Sequence, residues 1–275
     1  MITIQTVTGP VDSGSLGHVL PHEHVAFYFD RMDEYTRNMA VDHHTPYCRD
    51  LVVKYGCNAM VEVTPRRVTD GSCRRPMSPG WEIADYEIQR RLTHKTGMHF
   101  IASTGYYVEG SRPAEFATMT TAALAKSMVK DIQHGIGNTG VKAGIIKIAV
   151  DDPESESDNK LLQAAAIAQK ETGASITTHT CHPAIRTHTL DVLEAAGVPP
   201  ARITLGHADT NSSLVEALAL AKRGCMLLYT IWGITRGDLI GWRYGTDVPR
   251  YWSAYLARAL ADEGYLEQLM ISIDY

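Results

Sequence analysis

Residues 143–179 read AGIIKIAVDDPESESDNKLLQAAAIAQKETGASITTH, and this stretch carries a strand, a helix and a second strand. Gly144–Ala149 is a short run of β-branched and small apolar residues, the pattern of a strand covered on both faces. Asn159–Thr172 has helical length and composition, and Gly173 stands where a left-handed helix stop belongs. Ser175–His179 returns to β-rich residues. A helix joining two such strands is a parallel crossover unit.

The same alternation extends in both directions. Strand-like segments occur at His18–His22, Asn58–Val63, His99–Ser103, Gly144–Ala149, Ser175–His179, Arg202–Gly206, Met226–Thr230 and Leu269–Ile273. Helix-like stretches lie at Trp81–Lys95, Thr121–His134, Asn159–Thr172, Ile185–Ala196, Leu214–Arg223 and Pro249–Glu263, several followed by glycine. A short helix, Arg49–Tyr55, ends at Gly56, which leaves Phe27–Tyr47 as a long loop at the mouth. About eight strand–helix units predict an α/β chain folded as a (β/α)8 TIM barrel rather than an open doubly wound sheet.

The length of 275 residues suits one such barrel, and no linker divides it. The chain reads as a single domain over residues 1–275, truncated at the tip of the eighth strand, with the last loop and helix lacking. If Asp274 points into the barrel, so do Ser272 and Met270, while Leu269, Ile271 and Ile273 face outward. That outward apolar row allows a homodimer.

Lys and Arg number 26 against 31 Asp and Glu, a net charge of −5, and 44% of residues are hydrophobic. No basic patch marks a nucleic-acid partner, and no apolar run reaches the roughly 18 residues of a membrane span. The amino terminus lacks the pattern of a secretory signal, so a cytoplasmic location is expected. The five cysteines are scattered without a C-x-x-C pair and read as reduced, mostly buried thiols. Gly135–Gly140 matches G-x-G-x-x-G, but it follows a helix and precedes a strand, the reverse of a dinucleotide-binding context.

Barrel enzymes carry their reactive groups at the carboxyl ends of the strands. Here the first strand runs into His22-Glu23-His24, whose i, i+2 spacing puts both imidazoles on one face with Glu23 pointing away. The fourth strand holds Lys147 in an otherwise apolar run, a costly place for a charged amine unless its pKa falls or it is modified. The fifth strand ends at His179, the sixth at His207 and the eighth at Asp274. Any one of these is readily explained as an ordinary polar strand end. Six metal-competent side chains at the same end of five strands have no comparable packing explanation, and imidazole with carboxylate suits zinc, manganese, iron or cobalt. His43, His44, His94, His134 and His188 read as surface residues, His182 as a loop residue near the mouth, and His18 as the start of a strand.

These residues, in this order, resemble the phosphotriesterase family of the amidohydrolase superfamily, which includes the phosphotriesterase-related proteins and the phosphotriesterase-like lactonases. The resemblance covers nearly the whole chain. It includes Thr8-Gly9-Pro10, Leu16-Gly17, Pro21-His22-Glu23-His24, Ser103-Thr104-Gly105-Tyr106-Tyr107, Gly140–Lys147 and Gly206-His207. It implies two divalent metal ions per chain, commonly zinc, bridged by a carbamylated Lys147. His22, His24 and Asp274 would complete the more buried site, and His179 and His207 the more exposed one. A hydroxide shared by the two cations would be the nucleophile, with Asp274 as the proton acceptor and Tyr107 lining the leaving-group or lactone pocket.

Two departures bear on the substrate. Some family members place an Asp after the sixth-strand histidine and a His or Arg after the seventh strand; here those positions hold Thr210 and Ile231, with Asp209 or Arg236 as substitutes. The region Trp232–Tyr244 is rich in Trp, Arg and Gly and suits an anionic or amphipathic small molecule. The expected activity is hydrolysis of a lactone or other carboxylic ester, with weak phosphotriesterase activity allowed. N-acyl amide hydrolysis by the same centre, a mononuclear deaminase-type barrel that would not need Lys147, and a catalytically silent metal-binding or interaction barrel are the alternatives.

Overall fold

The computed structural model describes residues 2–25, 33–64, 85–230, 232 and 251–274. Eight parallel strands form one sheet: β3 His18–Glu23, β4 Cys57–Glu62, β5 His99–Thr104, β6 Ile145–Ala149, β7 Ile176–His179, β8 Ile203–Gly206, β9 Met226–Tyr229 and β10 Leu269–Ile271. They follow one another in chain order from β3 to β10. Helices α1 Glu34–Tyr55, α2 Tyr86–Thr96, α3 Thr121–Gln133, α4 Glu156–Thr172, α5 Pro183–Ala195, α6 Leu214–Lys222 and α7 Trp252–Asp262 alternate with them. This is the expected (β/α)8 barrel.

Side-chain alternation along each strand separates the two layers. On β6, Ile146 and Ile148 are fully buried in the cluster that packs the sheet against α3 to α7, including Leu124, Met128, Leu161, Leu190 and Leu256. Lys147 and Ile145 take the other face and look into the barrel. At the amino ends of the strands that interior opens as an apolar cavity of about 500 Å³ bordered by Val19, Ile145, Met226 and Met270. The polar side chains gather at the opposite end.

The seam between β10 and β3 is closed by side chains. The backbone N–H of His22 donates to Ser272 Oγ (3.0 Å), and that hydroxyl donates to Glu23 Oε1 (2.5 Å). The N–H of Ile273 also donates to Glu23 Oε1 (3.1 Å). Glu23 therefore turns away from the histidines beside it, as its spacing predicts, and joins the last strand to the first. Ser272 is fully buried, while Ile271 and Ile273 are exposed, in line with the expected alternation; Leu269 instead packs partly against the core.

Two local readings change. An antiparallel hairpin, β1 Thr3–Thr6 with β2 Gly9–Asp12, precedes the barrel and was not expected. Most of the anticipated mouth loop, from Glu34 onward, is the first 14 residues of α1; positions 26–32 lie outside the described residues. Pro46 sits inside that helix rather than ending it, and the helix starts where Asp33 caps Thr36. Its weak apolar pattern hid it: only Ala40, Val41 and Cys48 are buried, and ion pairs of Arg91 with Glu34 and Lys95 with Asp42 tie it to α2. The Gly135–Gly140 segment is a loop between α3 and β6, with Ile136 N–H donating to Val141 O (2.8 Å), as its context required.

Candidate metal centre

Six side chains converge at the carboxyl end of the barrel. His22 and Lys147 come from β3 and β6; His24, His207 and Asp274 lie just past β3, β8 and β10; His179 ends β7. Lys147 Nζ is 3.3 Å from His22 Nε2. Asp274 Oδ1 lies 3.3 Å from both His22 Nε2 and His24 Nε2. The His207 ring sits between the two sides of the group, 4.9 Å from the His22 ring and 4.3 Å from the His179 ring. All six residues anticipated from the sequence are thus brought together.

The backbone is bent to achieve this. His207 (φ 57°) and Asp274 (φ 54°) occupy the left-handed region, which costs a non-glycine residue about 1–3 kcal/mol and is found where a site demands it. Behind His207, Gly206 lets β8 approach β7: a Cβ there would stand 2.0 Å from the Thr178 carbonyl oxygen. Gly105 does the same for β5 against Lys147, whose carbonyl oxygen would lie 2.0 Å from its Cβ. Arg186, fully buried and paired with Glu216 (2.8 Å), donates to the carbonyls of Thr180 (3.0 Å) and His207 (3.1 Å) and fixes both strand ends.

Polar partners orient the imidazoles from behind. His24 Nδ1 meets Thr64 Oγ1 at 2.7 Å, and His207 Nδ1 meets Thr230 Oγ1 at 2.6 Å. Glu62, wholly buried, accepts from the N–H groups of Val25 (3.0 Å) and Thr64 (2.8 Å) and from Gln89 (3.1 Å), so it shapes the loop that carries His24. Sequence reading did not single out Thr64, Thr230, Glu62 or Arg186, because each acts through a contact distant in the chain.

The electrostatics suit cation ligation. Burial, reinforced by the nearby Lys147 charge, lowers the His22 pKa to about 4. Burial and the His179 charge take His207 well below its ordinary value. Both rings therefore offer lone pairs at neutral pH. Burial alone would raise the Asp274 carboxyl, but interaction with His22 and a hydrogen bond from His24 outweigh it and hold the group well below the usual carboxylate range. Burial lowers the Lys147 pKa to about 8 even though Asp274 opposes the shift, which makes its amine reachable for modification. His22 Nδ1 is buried with no hydrogen-bond partner among the described residues. Neutral imidazoles, an ionised carboxylate and a destabilised amine make a donor set that fits divalent metal ions.

Tyr107 borders the outer side, its hydroxyl 3.3 Å from His179 Nδ1. Its loop is anchored by Arg112, which donates to the Tyr107 carbonyl (2.9 Å) and the Ala149 carbonyl (3.1 Å) and pairs with buried Asp158. The Asp209 carboxylate accepts from Thr230 N–H (3.1 Å) and Ser253 Oγ (2.8 Å), binding β9 to α7. Thr210 is buried. Ile231, Arg236, Cys73 and nearly all of Trp232–Tyr244 lie outside the described residues. Cys48, Cys57 and Cys225 are buried thiols as expected, whereas Cys181 stands half-buried beside His179. Its position two residues after a strand-end histidine was the available signal, equivalent to His24 after His22.

A family model described as the phosphotriesterase family matches residues 2–275. The chain is 27% identical over 308 aligned positions to an N-acetyltaurine hydrolase of Tetraodon nigroviridis, covering 98% of this chain and 83% of that protein. It is 28% identical to the phosphotriesterase homology protein of Escherichia coli (strain K12), covering 94% and 81%. Among solved structures, organophosphorus hydrolase from Deinococcus radiodurans superposes with a TM-score of 0.82 at 28% identity, over 99% of this chain and 79% of that one. Among the described residues no helix is long and apolar enough to cross a membrane.

Proposed function

The chain belongs to the phosphotriesterase family and is a hydrolase, and from that premise we propose a binuclear metal-dependent enzyme that cleaves a carboxylic ester, foremost a lactone, with weak phosphotriesterase activity. The observation that carries this reading is the convergence of His22, His24, Lys147, His179, His207 and Asp274 at one end of the barrel. His22, His24 and Asp274 would hold the inner ion, His179 and His207 the outer one, and a carbamylated Lys147 would bridge them. Two divalent ions held there, zinc foremost, would supply a hydrolytic nucleophile at neutral pH and would polarise the scissile carbonyl or phosphoryl group.

The remaining work belongs to the chain. Asp274, ionised at neutral pH, accepts the proton of the attacking water and returns it to the leaving oxygen or nitrogen. Tyr107 presents a hydroxyl at the outer rim, where it orients the leaving side of the substrate. Thr64 and Thr230 keep the imidazoles aimed inward.

A second reading is N-acyl amide hydrolysis, favoured by the name of the N-acetyltaurine hydrolase relatives. Zinc-reconstituted protein assayed against lactones, N-acyl amino and sulfonic acids and an activated phosphotriester separates the two. Highest kcat/KM on lactones supports the first reading, and highest on N-acyl substrates replaces it with the second. Inertness on every panel with two ions bound would favour a silent metal-binding barrel.

A further inference from the structure

The outer side of the centre contains a donor that the functional reading above does not use. Cys181 lies two residues beyond His179, and the intervening Thr180 turns the other way, its hydroxyl donating to the Gly206 carbonyl (3.0 Å). His179 and Cys181 thus lie on the same side of this segment. Cys181 Sγ is 3.4 Å from His179 Nε2. The donor atoms of His179, Cys181 and His207 all lie within 4.8 Å of one another.

That spacing has a chemical meaning. In a tetrahedral zinc site with Zn–S about 2.3 Å and Zn–N about 2.0–2.1 Å, sulfur and nitrogen ligands stand about 3.6 Å apart. The Cys181–His179 pair is already close to that value. The buried thiols behave differently: Cys57 and Cys225 turn toward the backbone carbonyls of Ala59 (3.9 Å) and Leu220 (3.4 Å). Cys181 is aimed at an imidazole in the mouth of the barrel.

We propose that Cys181 is a protein ligand to the outer metal ion, completing a His179–Cys181–His207 set that selects a thiophilic ion such as zinc, cobalt or cadmium over manganese or magnesium. This rests on the reading that His179 and His207 hold an ion. Ligation breaks the S–H bond, forms a metal–sulfur bond and releases one proton to solvent, with no change of oxidation state. The preference follows from the softness of thiolate compared with the carboxylate and imidazole donors around it.

The test combines metal content with spectroscopy on the full chain. The wild type loaded with cobalt is expected to show a near-ultraviolet sulfur-to-metal charge-transfer band, absent from Cys181→Ser and Cys181→Ala. The zinc-loaded wild type should give an X-ray absorption shell at about 2.3 Å. Two bound ions with no sulfur signal would overturn this assignment and leave the binuclear reading standing. A wild type that binds no ion on the His179 and His207 side would overturn both. A measurement that needs no variant is iodoacetamide labelling of Cys181, mapped by mass spectrometry with and without zinc: at least tenfold protection is expected, and equal rates would refute ligation.

Discussion

The two sides of the centre are built differently. On the inner side contacts of 3.3 Å link Lys147 to His22, and His22 and His24 to Asp274, and the β10–β3 seam and Glu62 lie directly behind them. On the outer side His179 and His207 are joined by half-buried Cys181 and Tyr107, and support comes from Arg186 and Arg112. The inner side is closed by the same contacts that close the barrel, so its geometry is a condition of folding. The outer side faces the mouth, where substrate must enter and where this chain's own residues can vary the chemistry.

The sharpest way to break this comparison is to remove the inner-side residue that the proposed function makes a bridge between the two ions. Lys147→Ala should reduce bound metal from about two ions to fewer than one per chain and lower kcat/KM on the order of a thousandfold or more, read by plasma mass spectrometry and steady-state kinetics. Retention of two ions with full activity would sink the bridged model and favour a mononuclear one.

Next in size is the brace behind the outer side. Arg186→Met leaves Glu216 without its guanidinium partner and takes a charged donor from the buried carbonyls of Thr180 and His207, and should cost about 3–5 kcal/mol in denaturant unfolding. A loss below about 1 kcal/mol would show that Arg186 does not fix the two strand ends.

The inner side can be probed in metal-free protein by pH. Folded Lys147 titrates at about 8 against an ordinary 10.5, so between those values the unfolded chain holds a proton the folded chain has lost, and stability rises with pH. His22 titrates at about 4 against 6.5, so stability falls as the solution is acidified across that window. Each shift corresponds to about 3 kcal/mol. Unfolding curves in chelator should therefore show a rise above pH 8 that vanishes in Lys147→Met; a rise that persists in that variant assigns it elsewhere.

Thr64→Val and Thr230→Val separate the two sides directly. Each should weaken a single ion by about 10–100-fold, the first on the inner side and the second on the outer. Stepwise metal titration in which both variants weaken the same ion would erase the distinction. The smallest effect is expected from Tyr107→Phe, which keeps the ring against His179 and removes only a hydroxyl. It should lower kcat/KM less than about tenfold with metal content unchanged.

Much of this was legible in the sequence because it depends on local periodicity. Eight short β-rich runs separated by helices specify a parallel barrel, and the side chain at each strand end follows from counting along the strand. That is why His22, His24, Lys147, His179, His207 and Asp274 could be named together. The glycine after each helix was equally readable, since Gly97, Gly173 and Gly197 adopt the positive φ that such a stop requires.

Tertiary structure decided what periodicity does not encode. The stretch from Glu34 to Tyr47, which reads as loop, is helix tied to α2, whose Arg91 and Lys95 reach residues more than 50 positions away. Asp209, which sequence position offered as a substitute relay, holds β9 to α7 through Thr230 and Ser253. Glu23 became the clasp of the barrel only when β10 arrived beside β3, some 250 residues later in the chain. Propensity and alternation act within a few residues and so are written locally. Hydrogen bonds, burial and the pKa shifts they cause arise between segments that meet only when the barrel closes.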